Sequence, residues 1–168
     1  MSLSITEFKG HFIAGARPNL YRVTCNALGQ DFAFLCKAAQ LPSSTVDAID
    51  VPYLGRQIKV PGNRTFEDWE VTVINDTNFG IRTLVESWLN KINGHVSNLG
   101  YTRVADVYSD ATVDQLDRDG TILYRYGIKD MFPTMLSAIE LGFESNNEIE
   151  EYSVTFSYNY WQVAGVTD

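Results

Sequence analysis

The sequence predicts a mainly β protein: an antiparallel β-sandwich or barrel with one flanking α-helix and a protruding proline-rich arm. Three observations carry this. Most of the chain alternates apolar and polar residues with the period of two that half-buried strands require. One segment, Ile81 to Ile92, repeats apolar residues at helical spacing instead. Between them, Leu41 to Arg64 is broken by Pro42, Pro52, Pro61, Gly55 and Gly62. Proline cannot donate to a ladder, so strands there are edge or protruding ones.

The 168 residues suit one domain, 1–168, with segment 1–15 and tail 162–168 expected to be flexible or assembly-dependent. A hydrophobic content of 45% excludes disorder, and no apolar run approaches the ~20 residues of a membrane helix. No basic and apolar leader opens the chain. The 13 Lys and Arg against 21 Asp and Glu give a net charge of −8. Such a chain should not grip nucleic acid, because phosphate binding is driven by cations that displace counterions.

The elements follow in order. Arg17 to Cys25 and Asp31 to Lys37 both alternate, and a turn at Leu28-Gly29 makes them a hairpin. Cys25 then faces Phe32, Val23 faces Phe34, and Tyr21 faces Cys36. In the arm, Val46 to Tyr53 and Arg56 to Val60 read as strands. Phe66 to Asn75 puts Trp69, Val71 and Val73 on one face and Asp68, Glu70 and Thr72 on the other. Asp76-Thr77-Asn78 offers cap oxygens to the helix. Its stripe is Ile81, Leu84, Val85, Trp88, Leu89 and Ile92, and Asn93-Gly94 stops it.

His95 to Ala105 reads as a loop. A second hairpin, Asp106 to Phe132, turns at Asp119-Gly120 with a type I′ signal, so paired numbers sum to 239. Ala111 meets Ile128, Val113 meets Tyr126 and Gln115 meets Tyr124, while Asp114 meets Arg125 and Asp110 meets Lys129 on the other face. Ser137 to Phe143 is a further strand, and Glu144 to Asn147 a turn. In the last strand, Ile149 to Trp161, Tyr152, Val154, Phe156, Tyr158 and Tyr160 alternate with Ser153, Thr155, Ser157 and Asn159.

Catalytic and metal signals are missing. Cys25 and Cys36 sit in strand-like segments and read as small buried side chains. His11 and His95 lie far apart, without a second ligand at metal spacing. No GxSxG, Walker or HExxH segment occurs, so neither an enzyme nor a cofactor is expected.

Several segments together carry a resemblance. They are Ala16-Arg17-Pro18-Asn19-Leu20-Tyr21, Phe34-Leu35-Cys36-Lys37-Ala38 with Leu41-Pro42, and Arg64 to Val73 ending in Asn75-Asp76. Phe132-Pro133-Thr134, Phe143 to Ile149 and Tyr160-Trp161 complete the set. In this order they resemble the tail tube proteins of T4-like contractile-tailed bacteriophages, from about Ala16 to Trp161.

The resemblance implies hexameric rings that stack into a hollow tube, with strands from all subunits joined in a continuous inner β-barrel and the helix on the outer side. DNA crosses the lumen without specific binding. The implied partners are further copies of the chain, the tail sheath, baseplate and tail terminator proteins, and a tape measure protein inside the lumen. The implied location is the virion, after the host cytoplasm.

A conduit must not hold its cargo, so polar strand faces are the candidate lumen wall. These are Asp110, Thr112 and Asp114, and Ser153, Thr155, Ser157 and Asn159. The candidate contact arm is Val51, Pro52, Tyr53, Leu54, Gly55 and Arg56, with Arg64. Glu144, Glu148, Glu150 and Glu151 are candidate sheath-facing acids. The near alternatives are a tailocin or type VI secretion tube and a baseplate paralogue. The alternative of another class is a monomeric β-barrel holding an apolar ligand against Tyr152 to Tyr160.

Overall fold

The computed structural model describes residues 5–12 and 15–164. Its order is α1 (Ile5–His11), β1 (Tyr21–Cys25), α2 (Asp31–Leu35), β2 (Cys36–Ala39), β3 (Thr45–Tyr53), β4 (Arg56–Thr65), β5 (Trp69–Ile74), α3 (Gly80–Ile92), β6 (Ser109–Leu116), β7 (Ile122–Leu136), β8 (Glu151–Ser157) and β9 (Tyr160–Val163). A seven-stranded antiparallel sheet runs β1-β6-β7-β8-β5-β2, with β9 also on β7. β3 and β4 form a separate two-stranded sheet.

The long strand β7 joins two halves of the sheet. Its first part pairs with β6 and β9, its last part with β8. The inner faces of both halves meet in one core. Val23, Ala111, Val113 and Ile128 come from one half; Trp69, Val71, Val73, Val154 and Phe156 come from the other. Burying each valine, isoleucine or phenylalanine among them contributes roughly 1.5–3 kcal/mol. The outer edges, β1 and β2, approach across α2, where the Tyr21 hydroxyl donates to the carbonyls of Cys36 and Lys37.

α3 packs on the core face of β8. Ile81, Val85 and Trp88 are buried, and the Trp88 ring lies 6.1 Å from Phe156. The Trp88 indole donates to the Val107 carbonyl at 2.7 Å, and Arg82 sits 5.1 Å over the Tyr152 ring. The N-cap of the helix is Phe79, left-handed at φ 53° and without a side-chain cap bond, so the expected Asp76-Thr77-Asn78 segment does not hold that position; Asp76 accepts the Gly80 N–H at 2.9 Å from just ahead of it. Leu84 departs from the expected buried stripe and is 44% exposed.

The second hairpin has the predicted register from Ala111↔Ile128 to Gln115↔Tyr124. Its turn differs: only Gly120 is left-handed, and its N–H returns to the Asp117 carbonyl. The two-residue turn with both residues left-handed, the type I′ form, is instead Leu54 (φ 43°) and Gly55 (φ 80°).

The first hairpin is not formed. Asp31 to Leu35 is helical, β1 pairs with β6, and β2 pairs with β5. Phe32 still reaches the core, but Phe34 points out at 85% exposure. A five-residue apolar alternation fits one helical turn as well as a strand, and the packing of Phe32 decides.

Segment 137–143 forms no strand: Leu141 and Phe143 are exposed. The last strand breaks at residues 158–159, where the chain leaves β8 for β9, still beside β7. Gln162 and Val163, read as tail, belong to β9 and pair with Gly127 and Tyr126. Ile5–His11, within the segment expected to be flexible, is helical. Residues 1–4, 13–14 and 165–168 of the two terminal segments lie outside the described residues.

Candidate lumen and contact surfaces

The two polar rows lie on different halves of the sheet. Asp110, Thr112 and Asp114 alternate on β6 with the core residues Ala111 and Val113. Ser153, Thr155 and Ser157 alternate on β8 with Val154 and Phe156. Since one core separates the halves, the rows face away from it on opposite sides. Asn159 joins neither: it sits between β8 and β9, and its side chain donates to Asp130 at 3.1 Å.

On the β6 side the charges are paired. Asp114 is 1% exposed and held by two arginines. Arg125 Nε lies 2.6 Å from its Oδ1, and Arg22 Nη2 lies 3.0 Å from its Oδ2. Burial alone would raise the Asp114 carboxyl, but hydrogen bonds and charges from Arg125 and Arg22 outweigh it and hold the group below its ordinary value. Lys129 lies 2.7 Å from Asp110, and Thr24 and Thr112 share a hydrogen bond. This face therefore carries three cations, Arg22, Arg125 and Lys129, against three carboxylates, Asp110, Asp114 and the neighbouring Asp130.

The β8 side is different. Ser153 and Thr155 stand beside Thr72 and Glu70 of β5. Its one lysine, Lys37, is paired with Glu151. The face thus holds small hydroxyls with one cation against two carboxylates, Glu70 and Glu151. It lies on the side of β8 away from α3, since α3 packs on Tyr152 and Phe156.

β3 and β4 form an exposed ribbon. Val51, Pro52 and Tyr53 pair with Ile58, Gln57 and Arg56 around the Leu54-Gly55 tip, and Arg64 pairs with Val46 near the root. Period two gives it an apolar face with Ile49, Val51, Ile58 and Val60, each 43–56% exposed. At the root, the Trp69 indole donates to the Gln40 carbonyl at 2.7 Å and the Trp161 indole to the Ser43 carbonyl at 3.0 Å. No periodicity signal in the sequence marks these two anchors.

The four acids share the region where β7 turns into β8 but differ in use. Glu151 pairs with Lys37, and Glu150 accepts from Asn75 at 2.8 Å. Glu148 lines a cleft of about 750 Å³ with Glu140, Leu141 and Ile149. Glu144 is exposed in the adjacent turn.

The aromatic strand fills the core rather than a ligand cavity: Phe156 is 0% exposed and packs on Trp69 and Trp88. Burial pushes the Cys36 thiol up to about 12 and also raises Cys25, so neither is a thiolate nucleophile near pH 7.

Comparison with known proteins places this fold. A family model described as "Phage tail tube protein" matches residues 7–164. The tail tube protein gp19 of Enterobacteria phage T4 is 38% identical over 148 residues, which cover 88% of this chain and 91% of that one. The tail tube protein of Serratia phage KSP90 is 25% identical over 166 residues, covering 92% and 94%. Among solved structures, a chain of the sheath/tube terminator structure of an extracellular contractile injection system aligns with a TM-score of 0.71 at 16% identity, covering 90% of this chain and 98% of that one. A chain of the anti-feeding prophage baseplate aligns with a TM-score of 0.69 at 9% identity, covering 90% and 97%.

Proposed function

The chain belongs to the phage tail tube protein family and is a structural component of a contractile phage tail; from that premise we propose that its hexameric rings stack into a tube whose bore is lined by the β8 face. DNA crosses this bore during ejection without being bound. A tape measure protein fills it during assembly, and sheath, terminator and baseplate proteins meet the tube outside and at its ends. The subunit waits in the host cytoplasm until then. Identity to a phage protein over most of both chains favours a phage tail over a secretion tube.

One observation carries the choice of wall. The β8 face has one cation against two carboxylates and a row of hydroxyls, whereas the β6 face presents three cations, balanced by Asp110, Asp114 and Asp130. Each cation facing the bore would neutralise a DNA phosphate and release counterions, which holds the cargo. A hydroxyl wall with a slight negative excess does not. With the β8 face inward, α3 lies outward, on the side of the sheath. The β6 row, Asp110, Thr112 and Asp114, then faces away from the bore. The β3–β4 ribbon contacts neighbouring copies through its apolar face, and Glu148 is the acid offered to the sheath.

Thr155→Lys tests the wall. It adds one cation per subunit at a half-buried, outward position. Phage carrying it should assemble full-length tails but eject DNA more slowly, with the defect relieved as salt rises. Normal ejection from such tails contradicts the assignment.

A further inference from the structure

The β6–β7 turn carries a pocket that neither the wall nor the ribbon uses. It encloses about 360 Å³. Phe12, Leu20, Leu116 and Leu123 supply its apolar lining, and Arg17 and Arg118 its basic rim. Asp117 also lines it and Asp119 stands next in the turn, but these carboxylates accept the backbone N–H groups of Arg118 and Thr121. Neither guanidinium is in an ion pair among the described residues.

A complementary knob stands elsewhere on the chain. Phe143 is 104% exposed and Leu141 81% exposed. A local turn presents them, with the Ser145 N–H returning to the Gly142 carbonyl at 3.3 Å. Glu144 follows at once. Apolar side chains this exposed match the leucine floor, and the carboxylate beside them matches two rim guanidiniums that no described ion pair holds, although Asp117 and Asp119 leave the turn as a whole without a net positive charge.

Knob and pocket stand at different ends of β7. The pocket lies where β7 begins and the knob just beyond where it ends, and β7 runs from Ile122 to Leu136. At ~3.3 Å per residue that strand has a contour length of roughly 45 Å, and it passes from one half of the sheet to the other. Two complementary patches at opposite ends of a molecule make a head-to-tail contact, which does not close and so propagates as a filament.

We propose that the Leu141–Glu144 turn of one copy seats in the Arg17/Arg118 pocket at the β6–β7 turn of the next copy along the tube, forming the axial contact between stacked rings. This rests on the tube reading above and adds the residues that join ring to ring. Phe143 fills the apolar floor, and Glu144 pairs with the rim arginines.

Charge reversal and cross-linking test it together. Glu144→Arg and Arg118→Glu each change an exposed side chain, so both subunits should keep the wild-type melting temperature. Each should cut the yield of sedimentable tubes about tenfold or more, and the double reversal should restore most of it. Phe143→Cys with Leu123→Cys should give a covalent ladder of chains on oxidation; Cys25 and Cys36 are buried and add no background. Wild-type tubes whose yield is indifferent to both reversals, or a cysteine pair that assembles and gives no ladder, overturn the axial contact alone. Wild-type protein that stays as single subunits at every concentration overturns the tube reading as well.

Discussion

Asp114→Asn isolates the most buried charge among the described residues. The wild-type carboxylate receives three charge-assisted bonds, two from Arg125 at 2.6 and 2.9 Å and one from Arg22 at 3.0 Å. Removing one partner of a fully buried ion pair costs about 3–5 kcal/mol. Here the arginine side chains are 41% and 47% exposed and can rehydrate, so the cost falls to about 2 kcal/mol. For a chain of this size that is a loss of roughly 4–8 °C in melting temperature. The pH dependence has a definite sign. The folded carboxyl titrates below its unfolded value. Its contribution is therefore full above the ordinary aspartate value of about 4 and fades as pH falls through the lower folded value. Thermal unfolding of dilute subunits by circular dichroism, at pH 7 and pH 3, should show the variant well below wild type at pH 7 and the gap narrowing at pH 3. A variant that melts with wild type at pH 7, or a gap that stays constant with pH, refutes the reasoning.

Two further outcomes concern the ribbon. Deleting Val51 to Pro61 should leave a subunit with near wild-type melting temperature, because the ribbon has no hydrogen-bonded strand partner in the main sheet; sedimentation should find no polymer, and tubes seen by electron microscopy would contradict its contact role. Leu54→Asn should relieve about 1 kcal/mol of left-handed strain in the isolated subunit, read as a higher melting temperature. An unchanged or lower value would mean that Leu54 already has a stabilising contact within its own chain.

What the sequence discloses depends on how far apart the paired strands lie. Asp119-Gly120 marks a short connection, and the opposite charges of Asp114 and Arg125 fix its register, so five consecutive pairs follow from arithmetic alone. β1 finds its partner 90 residues on, at Val23↔Val113, and nothing local to Arg17–Cys25 names it. The neighbouring alternation at Asp31 to Lys37 offers a false partner, and only the burial of Phe32 as part of a helix removes it. Both polar rows are legible by period two, but their placement on opposite sides of one core is not, because it depends on β7 joining the two halves. The indole anchors of Trp69 and Trp161 and the second arginine on Asp114 arise from the same long-range closure. The exposed turn at Phe143 shows the converse: an apolar alternation from Ile139 to Phe143 promises a strand, yet Leu141 and Phe143 have no place in the chain's own core.

Cryo-electron microscopy of the assembled protein tests the central claim most directly. A hollow tube of stacked hexameric rings, with Ser153, Thr155 and Ser157 facing the bore and α3 facing outward, is the result expected. A bore lined by Asp110 and Asp114 with their partners Lys129, Arg125 and Arg22, or particles that never close around a bore, would contradict it.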